Sequence, residues 1–235
     1  MKKIIISISA AAFFLLAGCV KPSDNIHSFR LVPAIYDFNA TFEPVLITTG
    51  ITLLAPEMRN AEGIVFGDAV IAFFDINYDQ QPYANQTLVS NLQVAKIDTF
   101  FPIYSDGGAT FSEDFEDLIE EMGIIGFIED DWIGTYMFLE FIHMAPIDLA
   151  VEYEMTYDLG TEDRLPTLYI RSKISGESSL NPALYLNYAA FNLTGFISNL
   201  KNQERNSFNI LFNFGDDDGE EFFVPWTGNP FLLEP

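Results

Sequence analysis

Few side chains in this sequence can do chemistry at neutral pH: there are two histidines, His27 and His143, and one cysteine, Cys19. A nucleophilic hydroxyl needs an imidazole held between it and a carboxylate. His27 lies in a polar stretch near the N-terminus, and His143 ends an apolar run, where it reads as a hydrogen-bonded structural residue. Glycoside hydrolysis needs two carboxylates across a cleft, but among 34 acids a cluster such as Glu129, Asp130 and Asp131 carries no specificity. The Asp216-Asp217-Asp218-Gly219-Glu220-Glu221 run offers oxygens to calcium, yet position 214 is Phe, so the alternating spacing of an EF-hand loop is missing. It reads as a solvated hairpin tip. There is no glycine-rich phosphate loop and no His or Cys cluster for zinc. The expectation is a chain with no catalytic residues, no metal site, no cofactor and no enzymatic activity.

Cys19 is a different case. Lys2 and Lys3 precede an almost wholly apolar run from Ile4 to Leu16, followed by Ala17-Gly18-Cys19. That order is the pattern of a secretory signal, and the run is short for a span of the hydrocarbon, which takes about 20 apolar residues. Leu16-Ala17-Gly18-Cys19 is similar to the bacterial lipobox. The resemblance implies cleavage between Gly18 and Cys19 and diacylglyceryl attachment to the thiol. The alternative is an ordinary cleaved signal with an incidental cysteine. Lipidation would leave no thiol for a disulfide, and the several acyl chains of a mature lipoprotein would hold the protein on a membrane that one chain grips only weakly. Val20 stands where many Gram-negative bacteria place an Asp to retain lipoproteins at the inner membrane, so the expected address is the outer membrane, on either face.

The remainder must build its stability from its core. Apolar residues make up 49% of the sequence, ample for one large domain or two small ones. The formal net charge is −23, which repels phosphate backbones and makes nucleic acid a poor partner. The charge is uneven: between Lys96 and Arg164 there is no Lys or Arg, while Asp98 to Asp163 holds 18 acids. That stretch either solvates the surface or offers an acidic face to a cationic peptide or calcium.

Residues 19–28 read as a polar tether after a signal at 1–18. From 29 to 104 the pattern is of short strands broken by Gly, Pro and Asn. In Ile64 to Tyr78, Val70, Ala72, Phe74 and Ile76 alternate with Ile71 and Phe73, as in a strand buried on both faces. Leu92, Val94 and Ile97 mark a later strand. Residues 105–128 predict an acidic connection with a helix: Thr110 and Glu113 fit a capping box, Phe115, Leu118, Ile119 and Met122 share one helical face, and Gly123 is a stop. From 129 to 235 strands resume, in DDWIGTYMFLEFIHM with a bend near Gly134, then LPTLYIRSKI, LYLNYAAFNLTGF, and SFNILFNF returning through DDDGEE to FFVPW. The fold class predicted is mainly β: a small barrel, then an antiparallel sandwich, with one short helix between or beside them.

The residues Gly67-Asp68-Ala69-Val70-Ile71-Ala72-Phe73, Tyr136-Met137-Phe138-Leu139-Glu140-Phe141, Leu168-Tyr169-Ile170-Arg171 and Phe191-Asn192-Leu193 are similar to strand patterns of the NigD-like lipoproteins of Gram-negative anaerobes. The likeness covers most of the chain and departs at Ala69, where the family has arginine. It implies an OB-like N-terminal domain, a C-terminal β-sandwich, and an envelope role associated with bacteriocin immunity. The function expected is therefore a noncatalytic lipoprotein binding or sequestering a protein or peptide, with a glycan-binding surface lipoprotein as the alternative. A flat acidic face would favour the former, and coplanar exposed Tyr or Trp rings in a groove the latter.

Overall fold

The computed structural model describes residues 25–81, 87–105, 114–215, 221–225 and 230–233. The described chain is mainly β, with three sheets and one α-helix. The first sheet holds β1 (Ile26–Phe38), β2 (Pro44–Ile47), β3 (Thr52–Leu54), β4 (Ala69–Asn77), β5 (Thr87–Leu88) and β6 (Ser90–Lys96), in the order β5-β3-β2-β1-β4-β6. Its long central pair, β1 and β4, slips register between Phe29 and Val32, where Leu31 takes a positive φ of 53°. A second irregularity lies between Phe73 and Asp75 against β6. Such bulges bend strands and curl a sheet, so Ala34, Tyr36, Leu46, Val70, Ala72, Phe74 and Ile76 close into one core with Met58. The predicted alternation in β4 holds: Val70, Ala72, Phe74 and Ile76 enter that core, while Ala69 and Ile71 on the opposite face are also buried.

The second sheet runs β7 (Thr99–Phe100), β13 (Ala183–Asn192), β10 (Gly134–Ala145), β9 (Glu121–Asp130). The third runs β15 (Glu221–Pro225), β14 (Ser207–Gly215), β12 (Thr167–Ser175), β11 (Ala150–Asp158), β8 (Ile103–Tyr104), with β16 (Phe231–Leu232) beside β14. Alternation sends Met137, Leu139, Phe141 and Phe191 from the second sheet towards Tyr153, Met155, Leu168, Ile170, Phe208 and Ile210 from the third, the packing of a β-sandwich. Helix α1 (Thr194–Asn202) plugs one end with Phe196, Ile197 and Leu200. Most pairings are antiparallel, but β8 with β11, β7 with β13, and β12 with β14 are parallel. The opposite face of the second sheet carries the first: Ile35 and Ala69 bury against Ile128, Tyr136, Phe138 and Ala190. The second sheet is thus the middle of three layers.

Three local expectations change. The helix expected over Thr110 to Met122 does not form in its described part. Asp117 forms a bridge to Ser172, with Ile174 N–H donating to Asp117 Oδ2 at 2.6 Å, and Ile119 N–H donates to the Asn213 carbonyl at 3.0 Å. From Glu121 the chain is strand β9, in which Gly123 faces Glu140 instead of ending a helix. Cross-sheet partners for each backbone group, and burial of Ile119 and Met122, override a local helical pattern. The helix instead follows LYLNYAAFN, where Asn192 Oδ1 accepts from Thr194 N–H at 3.1 Å in a turn just ahead of it. Finally, His27 and Ser28 belong to β1 and not to a tether: they pair with Ile76 and Asp75, and Ser28 Oγ donates to Asp75 Oδ1 at 2.6 Å.

Candidate functional site

Gly18 and Cys19 lie outside the described residues, as do Asp216 to Glu220 of the acidic run, although β14 and β15 pair as an antiparallel hairpin around it. His143 is fully buried. Its Nδ1 lies 3.2 Å from the Leu118 carbonyl, which can only accept, so Nδ1 carries the proton. Nε2 is then an acceptor for the Tyr153 hydroxyl at 2.8 Å, and Asn187 Nδ2 donates to that hydroxyl at 3.2 Å. Both ring nitrogens are used inside the sandwich, and burial lowers the histidine's pKa while raising that of Tyr153. This is the hydrogen-bonded structural histidine expected from the sequence. His27 sits edge-on to the Tyr78 ring with Nε2 at 3.1 Å from Asn25 Oδ1. The two histidines lie on different sheets. Among the described residues no group of three His, Cys, Asp or Glu is arranged to hold a metal.

Glu129 and Asp130 end β9, and Asp131 begins the turn to β10. Asp130 Oδ1 accepts from the backbone N–H of Trp132 at 2.8 Å and of Ile133 at 3.1 Å, and Glu129 pairs with Lys201. Gly134 follows at φ +93°, its α-carbon so close to α1 that a Cβ would sit 2.2 Å from Thr194 Oγ1. That same hydroxyl accepts from Thr135 N–H at 2.9 Å. Asp130 thus braces the β9–β10 turn, and the turn holds Trp132 out in solvent, 81% exposed.

Two further braced turns, both in the first sheet, converge on the same place. Between β1 and β2, Asn39 Oδ1 accepts from Thr41 N–H and Glu43 N–H at 2.9 Å each, and Thr41 Oγ1 donates to Glu43 Oε2 at 2.9 Å. Asn39 Nδ2 also donates to Glu43 Oε2 at 3.1 Å, and this bond, then that from Thr41, holds the Glu43 carboxyl below the usual carboxylate range. Arg59 clamps the Phe42 carbonyl at 3.1 Å. The result is Phe42 held at φ +59° with its ring 80% exposed. Before β4, Asp68 Oδ2 accepts from Val65 N–H at 2.7 Å and pairs with Lys96 at 2.9 Å, while Gly67 and Asp68 exchange backbone bonds with Tyr36. That turn presents Phe66, stacked on Phe38 at 6.3 Å with an interplanar angle of 17°.

Asp37, Phe38, Asn39, Ala40, Phe42, Phe66 and Trp132 enclose a cleft of about 540 Å³, within the size range of ligand pockets. Its surface is mostly aromatic carbon, and it spans the first and second sheets. A bulky residue at positive φ costs free energy, as does solvent exposure of three rings at one spot, and such costs gather at functional surfaces. The described acids of the basic-free stretch are spread over more than one sheet. Glu121 and Glu140 lie on the second sheet and Glu152 and Glu154 on the third, the latter two opposite Lys173 and Arg171. No sequence pattern singles out Phe38, Phe42 or Phe66, and Trp132 falls within a predicted strand. Asn-Ala-Thr-Phe-Glu and Asp-Asp-Trp-Ile-Gly are both turn sequences carrying one large ring, and that was the available signal.

No family model and no curated protein matches the chain. Solved structures do. A protein from Parabacteroides merdae superposes with a TM-score of 0.68 at 16% identity, covering 89% of this chain and all of that one. A protein of unknown function from Bacteroides vulgatus gives 0.53 at 14% identity over 89% and 92% of the two chains. A NigD-like immunity protein from Bacteroides caccae gives 0.51 at 10% identity over 91% and 99%. At these identities the likeness is one of fold, and it extends over nearly the whole of each chain.

Proposed function

We propose that this protein is a noncatalytic, lipid-anchored binding protein of the cell envelope, of the NigD-like type, which holds a protein or peptide in the aromatic cleft. The observation that carries the reading is the convergence of three hydrogen-bonded turns on exposed Phe42, Phe66 and Trp132. Preorganised rings bind without the entropic cost of ordering a loop, and aromatic anchors dominate protein recognition. An immunity role follows only by analogy with the NigD-like neighbour from Bacteroides caccae. The anchor is the expected lipid on Cys19, and the address the outer membrane. Among the described residues no helix is long and apolar enough to cross a membrane.

A glycan is the second reading, favoured by the exposed indole of Trp132 and the parallel Phe38 and Phe66 rings. It ranks lower because sugars need many polar partners and this lining is chiefly Phe. The test is capture of envelope proteins by the full chain in detergent, compared with a Phe42→Ala/Trp132→Ala variant. The expected result is a partner retained by the wild type and lost by the variant; identical captures, or binding only of oligosaccharides in affinity electrophoresis, overturn the peptide reading. The anchor is tested separately by protease shaving of intact cells and by Cys19→Ala, which should release the protein from membranes.

A further inference from the structure

Asp37 lies at the end of β1, and its side chain is almost entirely removed from solvent, with 2% residual exposure. Strand alternation puts it on the face of β1 shared with Ile35, which packs against the second sheet, so it lies on the side from which Trp132 approaches. Its Oδ1 accepts the N–H of Phe38 at 2.5 Å, and among the described residues no cation pairs with it. Lys96 pairs with Asp68, and Arg59 donates to the Phe42 carbonyl. A carboxylate with little solvent exposure and no counter-charge is costly, and an approaching cation that supplies one offsets that cost. Phe38, Phe42, Phe66 and Trp132 line the same cleft as Asp37. Aromatic faces attract cations through their quadrupoles, tryptophan most of all. A flat guanidinium can stack on a ring and offer its N–H fork to a carboxylate at once, which an ammonium cannot do.

We infer that the cleft receives an arginine side chain from a partner protein or peptide, its guanidinium stacked among Phe42, Phe66 and Trp132 and directed at the Asp37 carboxylate. The inference rests on the peptide-binding reading above and names the chemistry that site selects. The net charge of −23 is of the sign that speeds encounter with such a partner. Asp130 and Asp131 immediately precede Trp132 and add negative charge beside it.

The test uses the full chain in detergent with Trp226→Phe, leaving Trp132 as the sole tryptophan, and follows its fluorescence on titration with a doubly capped Gly-Arg-Gly tripeptide. Its citrulline counterpart keeps the planar shape and loses the charge. The arginine peptide should change the emission saturably, with citrulline at least about tenfold weaker and the lysine peptide intermediate. Asp37→Asn should weaken the arginine peptide by a similar factor, and Phe42→Ala, which keeps every charge, should weaken it too. Should Asp37→Asn fail to fold, the citrulline comparison and Phe42→Ala decide the matter. Equal binding of the arginine and citrulline peptides, an unchanged affinity in folded Asp37→Asn, or a response to cellotriose but not to the peptide would each overturn the inference. The capture experiment keeps the two readings apart: a partner lost with Phe42→Ala/Trp132→Ala but indifferent to arginine sinks the arginine and leaves the peptide site.

Discussion

At the scale of single residues, function and stability pull in opposite directions at Phe42. A left-handed conformation costs an L-residue roughly 1–2 kcal/mol, and here the ring gains nothing back by burial. Phe42→Gly should therefore stabilise the fold modestly, by about 0.5–1 kcal/mol once the greater freedom of glycine in the unfolded chain is counted. Its denaturation midpoint should rise while binding in the cleft falls, a combination that an incidental surface residue would not give. A lower midpoint would show that the loop is not strained. His143 supplies the pH dependence. Because burial lowers its folded pKa below the ordinary 6.5, the unfolded chain takes up its proton first. The stability gained by keeping it neutral is complete above about pH 6.5 and drains away as pH falls towards the depressed folded value, at up to about 1.4 kcal/mol per pH unit. Melts of wild type and His143→Gln between pH 7 and 5 should converge as pH falls, since the carboxylates contribute equally to both.

At the scale of elements, the β9–β10 turn shows how little slack supports Trp132. Gly134→Ala would demand both a positive φ of a residue with a Cβ and room where Thr194 Oγ1 already lies. A loss of about 2 kcal/mol or more is expected in chemical denaturation, with Trp132 fluorescence responding less to ligand. A wild-type midpoint in Gly134→Ala would mean that α1 yields easily. Elements were also where the sequence was most and least legible. The alternation of Val70, Ala72, Phe74 and Ile76, and of Phe208, Ile210 and Phe212, gave β4 and β14 directly because each strand buries one complete face. Phe115, Leu118, Ile119 and Met122 have a helical period by coincidence: Ile119 and Met122 are buried through strand edges whose partners, Asn213 and Phe141, lie far along the chain. In α1 the helical signal is confined to Phe196, Ile197 and Leu200, and Gly195 and the preceding Phe191-Asn192-Leu193 make the segment resemble a continuing strand. The cleft was illegible for a related reason. Phe42, Phe66 and Trp132 come from three turns, and no local pattern records that turns distant in sequence meet.

At the scale of the whole molecule, the cleft exists because the first sheet is seated on the second. Pro33 and Thr49 of the first meet Gly126 and the Phe127 carbonyl of β9, with Thr49 Oγ1 donating to that carbonyl at 3.0 Å. Ala69 and Ala190, both fully buried, allow the two sheets to approach closely. Ala69 is also the position at which the chain departs from the arginine of the NigD-like strand pattern. An arginine in the present interface would need either a buried, unpaired charge or a separation of layers, and a cost of about 3 kcal/mol or more is expected. That cost falls on the contact between layers and not on the core of either. Calorimetry should therefore show a single transition in the wild type and, in Ala69→Arg, an earlier transition of the first sheet separated from that of the sandwich. The position of the turn bearing Trp132 relative to Phe42 and Phe66 depends on the same contact, so ligand binding should fail in Ala69→Arg below the first transition, while the sandwich still holds His143 neutral. If binding survives, the cleft is formed by the first sheet alone and Trp132 is only a neighbour.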